Sequence, residues 1–107
     1  MENKNIRKLL IKIGISSNIK GFHYILEAVD IIKAQKMHTN MTTIYEIICK
    51  KYNNTSSGVE RAVRHSISKA YKKTDILKKI YINVPDNSVF LYDLVFNFDI
   101  FADIVKE

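Results

Sequence analysis

Apolar residues recur at three- and four-residue intervals from the start of the chain. In "NKNIRKLLIKI" (3–13), Ile6, Leu9, Leu10 and Ile13 share one side of an amphipathic helix, and Gly14 in the following "GISSN" is placed to end it. From Lys20 to about Lys36, Phe22, Ile25, Leu26, Val29, Ile31 and Ile32 make a broader stripe, which predicts a longer second helix. "MHTNM" breaks that pattern. Asn40 or Thr42 can cap a third helix, "TTIYEIICKKY", with Ile44, Ile47, Ile48 and Tyr52 expected inward. "NNTSS" reads as a polar turn whose serines can cap a fourth helix, and Ser57 and Glu60 have capping-box spacing.

At 100° per residue the fourth helix has two unlike sides. Val59, Ala62, Val63, Ser66, Ile67 and Ala70 fall together; Glu60, Arg61, Arg64, His65, Ser68 and Lys72 fall opposite. Small and β-branched residues on the first side allow close packing and leave the second free. Beyond a short segment, "DILKKIYI", that could be helical or extended, Val84 before Pro85 is expected to be extended. A last helix, about 87–105, then starts near Asp86, Asn87 or Ser88. It is apolar nearly all round, so it must be buried or shared with a partner. Five to six helices, no strand pattern, three glycines and one proline indicate a compact all-α domain spanning 1–107.

Charge changes this picture from fold to function. Residues 1–80 carry 16 Lys and Arg against 6 Asp and Glu, a balance of +10, whereas residues 81–107 carry 1 against 5, a balance of −4. A basic body with an acidic tail suits a polyanionic partner; a generic lysine-rich surface is the alternative. The most apolar stretch, 89–105, is interrupted by Asp93, Asp99 and Asp103 and falls short of the roughly 20 residues of a bilayer span. The first apolar run, "LLIKIGI", contains a lysine and has no cleavage site, so neither membrane nor secretion is expected. A single Cys49 cannot form an internal disulfide and fits a reducing cytoplasm.

The third helix, a short turn and the fourth helix, about 42–73, have the dimensions of a helix-turn-helix. Arginines near the start of a major-groove helix can pair with guanine O6 and N7. Glu60 can accept from a cytosine amino group or orient an arginine, and Lys50, Lys51, Lys72 and Lys73 can neutralise phosphates. No metal or other cofactor is expected: His23, His38 and His65 lack partners at ligand spacing. His65 and Ser66 diverge on the helix, and no phosphate loop is present, so an enzyme is not indicated. Tyr45, Tyr52 and Tyr71 could stack on unpaired bases but are placed mainly inward, and Cys49 is expected in the core.

Three stretches carry a family likeness: "IGISSNIKGFHYILEAV", "YNNTSSGVERAVRHSISKAYKK" and "PDNSVFL". In order and content, over most of residues 11–92, the chain resembles the C-terminal DNA-binding domain of the stage-zero sporulation response regulators. "VERAVRH" together with "IKGF" and "DNSVF" is the specific part. The resemblance implies an all-helical domain that binds short duplex DNA boxes, often as a tandem pair, with Glu60, Arg61, Arg64 and His65 on its recognition surface. Joined to the face of the fourth helix, this gives a DNA-facing set of Ser57, Gly58, Glu60, Arg61, Arg64, His65, Ser68, Lys69, Lys72 and Lys73.

The chain departs from the family pattern in three ways. Gly58 stands where the family has an arginine that helps read bases. The stretch between Tyr71 and Pro85 is about nine residues shorter than the family norm in its count of positions, and in the family this region touches RNA polymerase. Met1 stands almost directly before the first helix, so no receiver domain is expected ahead of it. These features favour a stand-alone transcriptional regulator in the cytoplasm, on the nucleoid. The alternatives are an accessory architectural factor directing a site-specific recombinase, as an excisionase does, and a protein-interaction module that has lost DNA binding. Candidate partners beyond DNA are a second copy, through the C-terminal apolar helix or on tandem sites, a recombinase, and RNA polymerase.

Overall fold

The computed structural model describes residues 4–35 and 40–106, and among them the structure is all-helical, with no strand. Six α-helices follow in order: α1 (Lys4–Lys12), α2 (Lys20–Ala34), α3 (Met41–Lys51), α4 (Ser56–Lys73), α5 (Asn87–Phe96) and α6 (Ala102–Lys106). Short 3₁₀ turns at Leu77–Lys79 and Phe98–Phe101 join the later ones. The Cα radius of gyration is 13.0 Å, the value of about 13 Å expected for a compact domain of this size. None of these helices is long and apolar enough to cross a membrane. The outer ends of two expectations, the helix continuing to Lys36 and the break beginning at Met37, lie outside the described residues, as does His38.

The start of the chain follows its pattern. Ile6, Leu9 and Leu10 bury one side of α1. Gly14 then takes a φ of +100°, its N–H bonding to Ile11 O while Ile15 N–H reaches back to Leu10 O at 2.9 Å. This paired return of hydrogen bonds around a left-handed residue is a Schellman motif, which satisfies the last carbonyls of α1. Leu10 and Ile15, which flank it, are both buried.

α2 runs through the centre, packed against α1, α3, α4 and α5. Its buried residues, Phe22, Tyr24, Ile25, Leu26, Ala28, Val29 and Ile32, cover more than one face, as a helix with neighbours on several sides requires. Gly21 sets the distance to α4. A Cβ there would fall onto Ser66 Oγ and 2.8 Å from the Ala62 carbonyl oxygen, so only a bare Cα fits.

α3 buries Ile44, Tyr45 and Ile48, whereas Ile47 and Tyr52, expected inward, are 45% and 38% exposed. Ile47 falls outside the arc of Ile44, Ile48 and Tyr45, and Tyr52 stands past the last turn of α3, its ring edge-on to Tyr24 and its hydroxyl on Glu27. Asn87, buried at the start of α5, donates from Nδ2 to Tyr45 Oη at 2.9 Å and to Glu60 O at 3.2 Å, which holds Tyr45 on the inward arc. Tyr71 is half-buried, its hydroxyl donating to Tyr81 O and Ile82 O, and Cys49 is half-buried against the core.

The long last helix does not form. α5 ends at Asn97, whose side chain donates back to Asp93 Oδ1 at 2.8 Å, and the chain turns through 3₁₀ geometry into α6. The bend brings Phe101 into the core, with its ring edge-on to Phe90 at 6.2 Å. Lys12 Nζ donates to Ile104 O at 3.0 Å and ties α6 to α1. Val89, Phe96 and Ile100 remain exposed.

Candidate nucleic-acid interface

Four residues connect α3 to α4, and local chemistry sets each step. Asn53 takes a φ of +54°, a left-handed conformation that asparagine tolerates better than most residues. Asn54 N–H bonds to Cys49 O at 2.9 Å, closing the end of α3. The Asn54 side chain then does two things: Oδ1 accepts from Thr55 N–H at 2.7 Å and Nδ2 donates to Tyr24 Oη at 3.0 Å. Thr55, in extended backbone, caps α4 by accepting from Gly58 N–H at 3.0 Å.

The cap therefore lies on Thr55 and not on the serines, which are already inside the helix. The capping-box reading of Ser57 and Glu60 is corrected accordingly. Glu60 turns instead toward Arg64, with Arg64 Nε to Glu60 Oε2 at 3.0 Å. At the other end of α3, Asn40 caps as expected, accepting from Thr43 N–H at 2.9 Å.

α4 divides as its periodicity predicts. Val59, Val63, Ser66, Ile67 and Ala70 are buried, with Ala62 half-buried. Arg61, Arg64, His65, Lys69, Lys72 and Lys73 are exposed, as is Ser57, while Gly58, Glu60 and Ser68 are half-buried. All ten residues expected to face DNA thus lie on the accessible part of one helix. Glu60 is the sole acid in α4, against five arginines and lysines.

The two arginines differ. Arg64 is held by Glu60, and the carboxylate raises its guanidinium's affinity for the proton above the usual value. Its side chain is still 60% exposed. An exposed pair one helical turn apart contributes little, so this tether yields readily to a stronger anion. Arg61 makes no ion pair among the described residues. Neither guanidinium is occluded.

Lys51, expected at a phosphate, already has a partner within the fold. Its ammonium lies 2.6 Å from Glu27 Oε2 on α2, and Tyr52 Oη donates to the same oxygen at 2.9 Å. Burial pushes the Glu27 carboxyl up, but these two hydrogen bonds and the Lys51 charge outweigh it and leave it below the ordinary 4.5. A carboxyl lowered by folding stabilises the fold above its unfolded value, and that stability is lost as pH falls through the folded value. Glu27→Gln is therefore expected to lower the Tm slightly at neutral pH and to flatten the acid side of the Tm–pH profile, and, because the same carboxylate raises the Lys51 ammonium and the Tyr52 hydroxyl, to shift the alkaline side as well.

Gly58 has a structural reason of its own. A Cβ at this position would meet Asn54 Oδ1, which is pinned by Thr55 N–H and, through its amide nitrogen, by Tyr24. Gly58→Arg is expected to lower stability by roughly 1–2 kcal/mol in thermal melts. Asn54→Ala in the same chain should restore part of the loss; full stability of the single variant would refute the clash.

Three polar residues that were not counted among the DNA-facing set also reach this surface. Ser16, Asn18 and Lys20, from the α1–α2 connection and the first residue of α2, line a cleft shared with His65, Lys69 and Lys73. The motif "IKGF" includes Lys20 but does not say what it faces, because that depends on how closely α2 meets α4. The Tyr45–Asn87–Glu60 link that fixes the first turns of α4 is likewise invisible in any short stretch. Comparison with protein families accounts for the shared text: the model described as "Sporulation initiation factor Spo0A C terminal" matches residues 6–94, most of the chain. The chain belongs to the family of the C-terminal domain of the sporulation initiation factor Spo0A.

Proposed function

We propose that this chain is a sequence-selective duplex DNA-binding regulator that reads the major groove with α4. Its family is that of a DNA-binding domain of a transcription regulator. The α3–turn–α4 unit acts as the helix-turn-helix, and α4 enters the groove by its N-terminal half. The carrying observation is Arg61: an exposed guanidinium near the start of that helix, with no ion pair among the described residues. A guanidinium so placed can form two hydrogen bonds to guanine, worth about 1–3 kcal/mol of discrimination.

Arg64 joins it by exchanging Glu60 for the nucleic acid, and Glu60, once released, accepts from a cytosine amino group. Ser57 and the Gly58 backbone lie at the helix start beside the groove wall. His65, Ser68, Lys69, Lys72 and Lys73 follow the phosphates and set affinity without sequence preference. Val89, Phe96 and Ile100 are the apolar residues through which two copies would meet on adjacent boxes.

Selection of bound fragments from random duplexes, followed by footprinting and salt titration, tests the reading. A short enriched motif is expected, with affinity that falls linearly in log K against log salt. Binding without any enriched motif, or no salt-sensitive binding at all, would overturn it.

A further inference from the structure

The cleft between the α1–α2 connection and the second half of α4 is a product of Gly21. Because α2 has no Cβ there, its first turn closes on Ala62 and Ser66 of α4, and the connection that precedes it lies beside the same helix. The left-handed Gly14 turns the chain into that position, where a Cβ on it would touch the aliphatic part of Lys73. One wall of the cleft presents Ser16, Asn18 and Lys20, and the other presents His65, Lys69 and Lys73.

No carboxylate lines this cleft, and Lys20, Lys69 and Lys73 form no ion pair among the described residues. Three lysines that share one cleft repel each other and hold counterions there. An open cleft gains little from a small monoanion, which stays well solvated outside it. A polyanion gains more, because binding it releases the counterions. The cleft shares His65, Lys69 and Lys73 with the depression along α4 that Ser68 and Lys72 complete, so the two are continuous.

We infer that this cleft binds the phosphodiester backbone of the duplex outside the base pairs read by α4, with Lys20 as its principal contact. The inference rests on the DNA-binding reading above and extends it. The footprint runs past α4 onto the first turn of α2, so that two separate segments of the chain grip one strand. Lys20 adds affinity for every sequence and takes no part in discrimination.

The test is a salt titration of binding, with the selected duplex and a scrambled duplex of equal length, for the whole chain and three variants. Lys20→Ala should weaken both duplexes by the same factor and reduce the slope of log K against log salt by about 1. Lys20→Glu should weaken both further. Lys33→Ala removes the same charge from α2 about 20 Å away and should leave the slope unchanged. On a selected duplex trimmed to the base pairs under α4, the effect of Lys20→Ala should vanish. Lys20 is exposed and accepts no structural role in the core, and equal melting temperatures will verify that the variants fold. Wild-type slopes and affinities for Lys20→Ala and Lys20→Glu would overturn the inference while leaving the function of α4 intact. Failure of the wild type to bind either duplex would overturn the reading beneath it as well.

Discussion

Arg61→Ala is expected to reduce affinity for the selected duplex by roughly 10- to 100-fold, the equivalent of about 1–3 kcal/mol for one lost pair of hydrogen bonds to a base. Affinity for scrambled DNA should change by a few-fold at most, because an arginine that reads a base edge contributes little to non-specific binding. The melting temperature should stay at the wild-type value, since Arg61 is exposed and makes no ion pair among the described residues. Arg64 makes the useful contrast. Its guanidinium already has Glu60, so DNA must displace an existing partner, and Arg64→Ala should cost less than Arg61→Ala. Gel-shift titrations with both duplexes separate these outcomes. Equal binding of selected DNA by Arg61→Ala and wild type would remove Arg61 from the reading of bases.

Gly21→Ala should destabilise the fold by about 2–3 kcal/mol, the upper part of the range for overpacked positions. The added methyl meets Ser66 Oγ, which could move, but also the Ala62 carbonyl oxygen at 2.8 Å, which is backbone of α4 and cannot move without its helix. Glycine-to-alanine exchange inside a helix normally gains about 1 kcal/mol of propensity, so here packing has to overcome that gain. A fall in Tm of about 10 °C or more corresponds to such a loss in a domain of this size. Adding Ser66→Ala should recover part of it, because the hydroxyl is one of the colliding groups. Gly21→Ala melting at the wild-type temperature would mean that α2 and α4 are not held at this distance. Because the same approach brings Lys20 beside Lys69 and Lys73, the variant should also weaken the cleft.

Particular residues show how much could be read in advance. Gly14 was legible as a helix end because a left-handed cap is a local requirement, met by one residue type. The two sides of α4 were legible because small residues and charged residues separate cleanly at 100° per residue. Ile47 was misread for the opposite reason: α3 has apolar residues on more than one arc, and periodicity cannot say which arc is covered. Tyr52 was misread because it stands past the end of α3, where its hydroxyl reaches Glu27. Asn87, 42 residues after Tyr45, holds Tyr45 on the covered arc. The final helix was read as continuous because its composition favours helix throughout. Its break goes with the burial of Phe101 against Phe90, which a straight helix would have carried past that ring.

By itself, the sequence determined that the protein is all-helical, roughly where the first five helices lie, which side of α4 is charged, and, through "IKGF", "VERAVRH" and "DNSVF", its family. Those are properties of neighbouring residues, and short-range geometry is enough to express them. Tertiary structure alone decided that Lys51 pairs with Glu27 from α3 to α2, and that Lys20 joins Lys69 and Lys73 across a cleft. Each of these depends on a distance between side chains of unconstrained reach or between segments far apart in the chain, and packing sets such distances where no local pattern can.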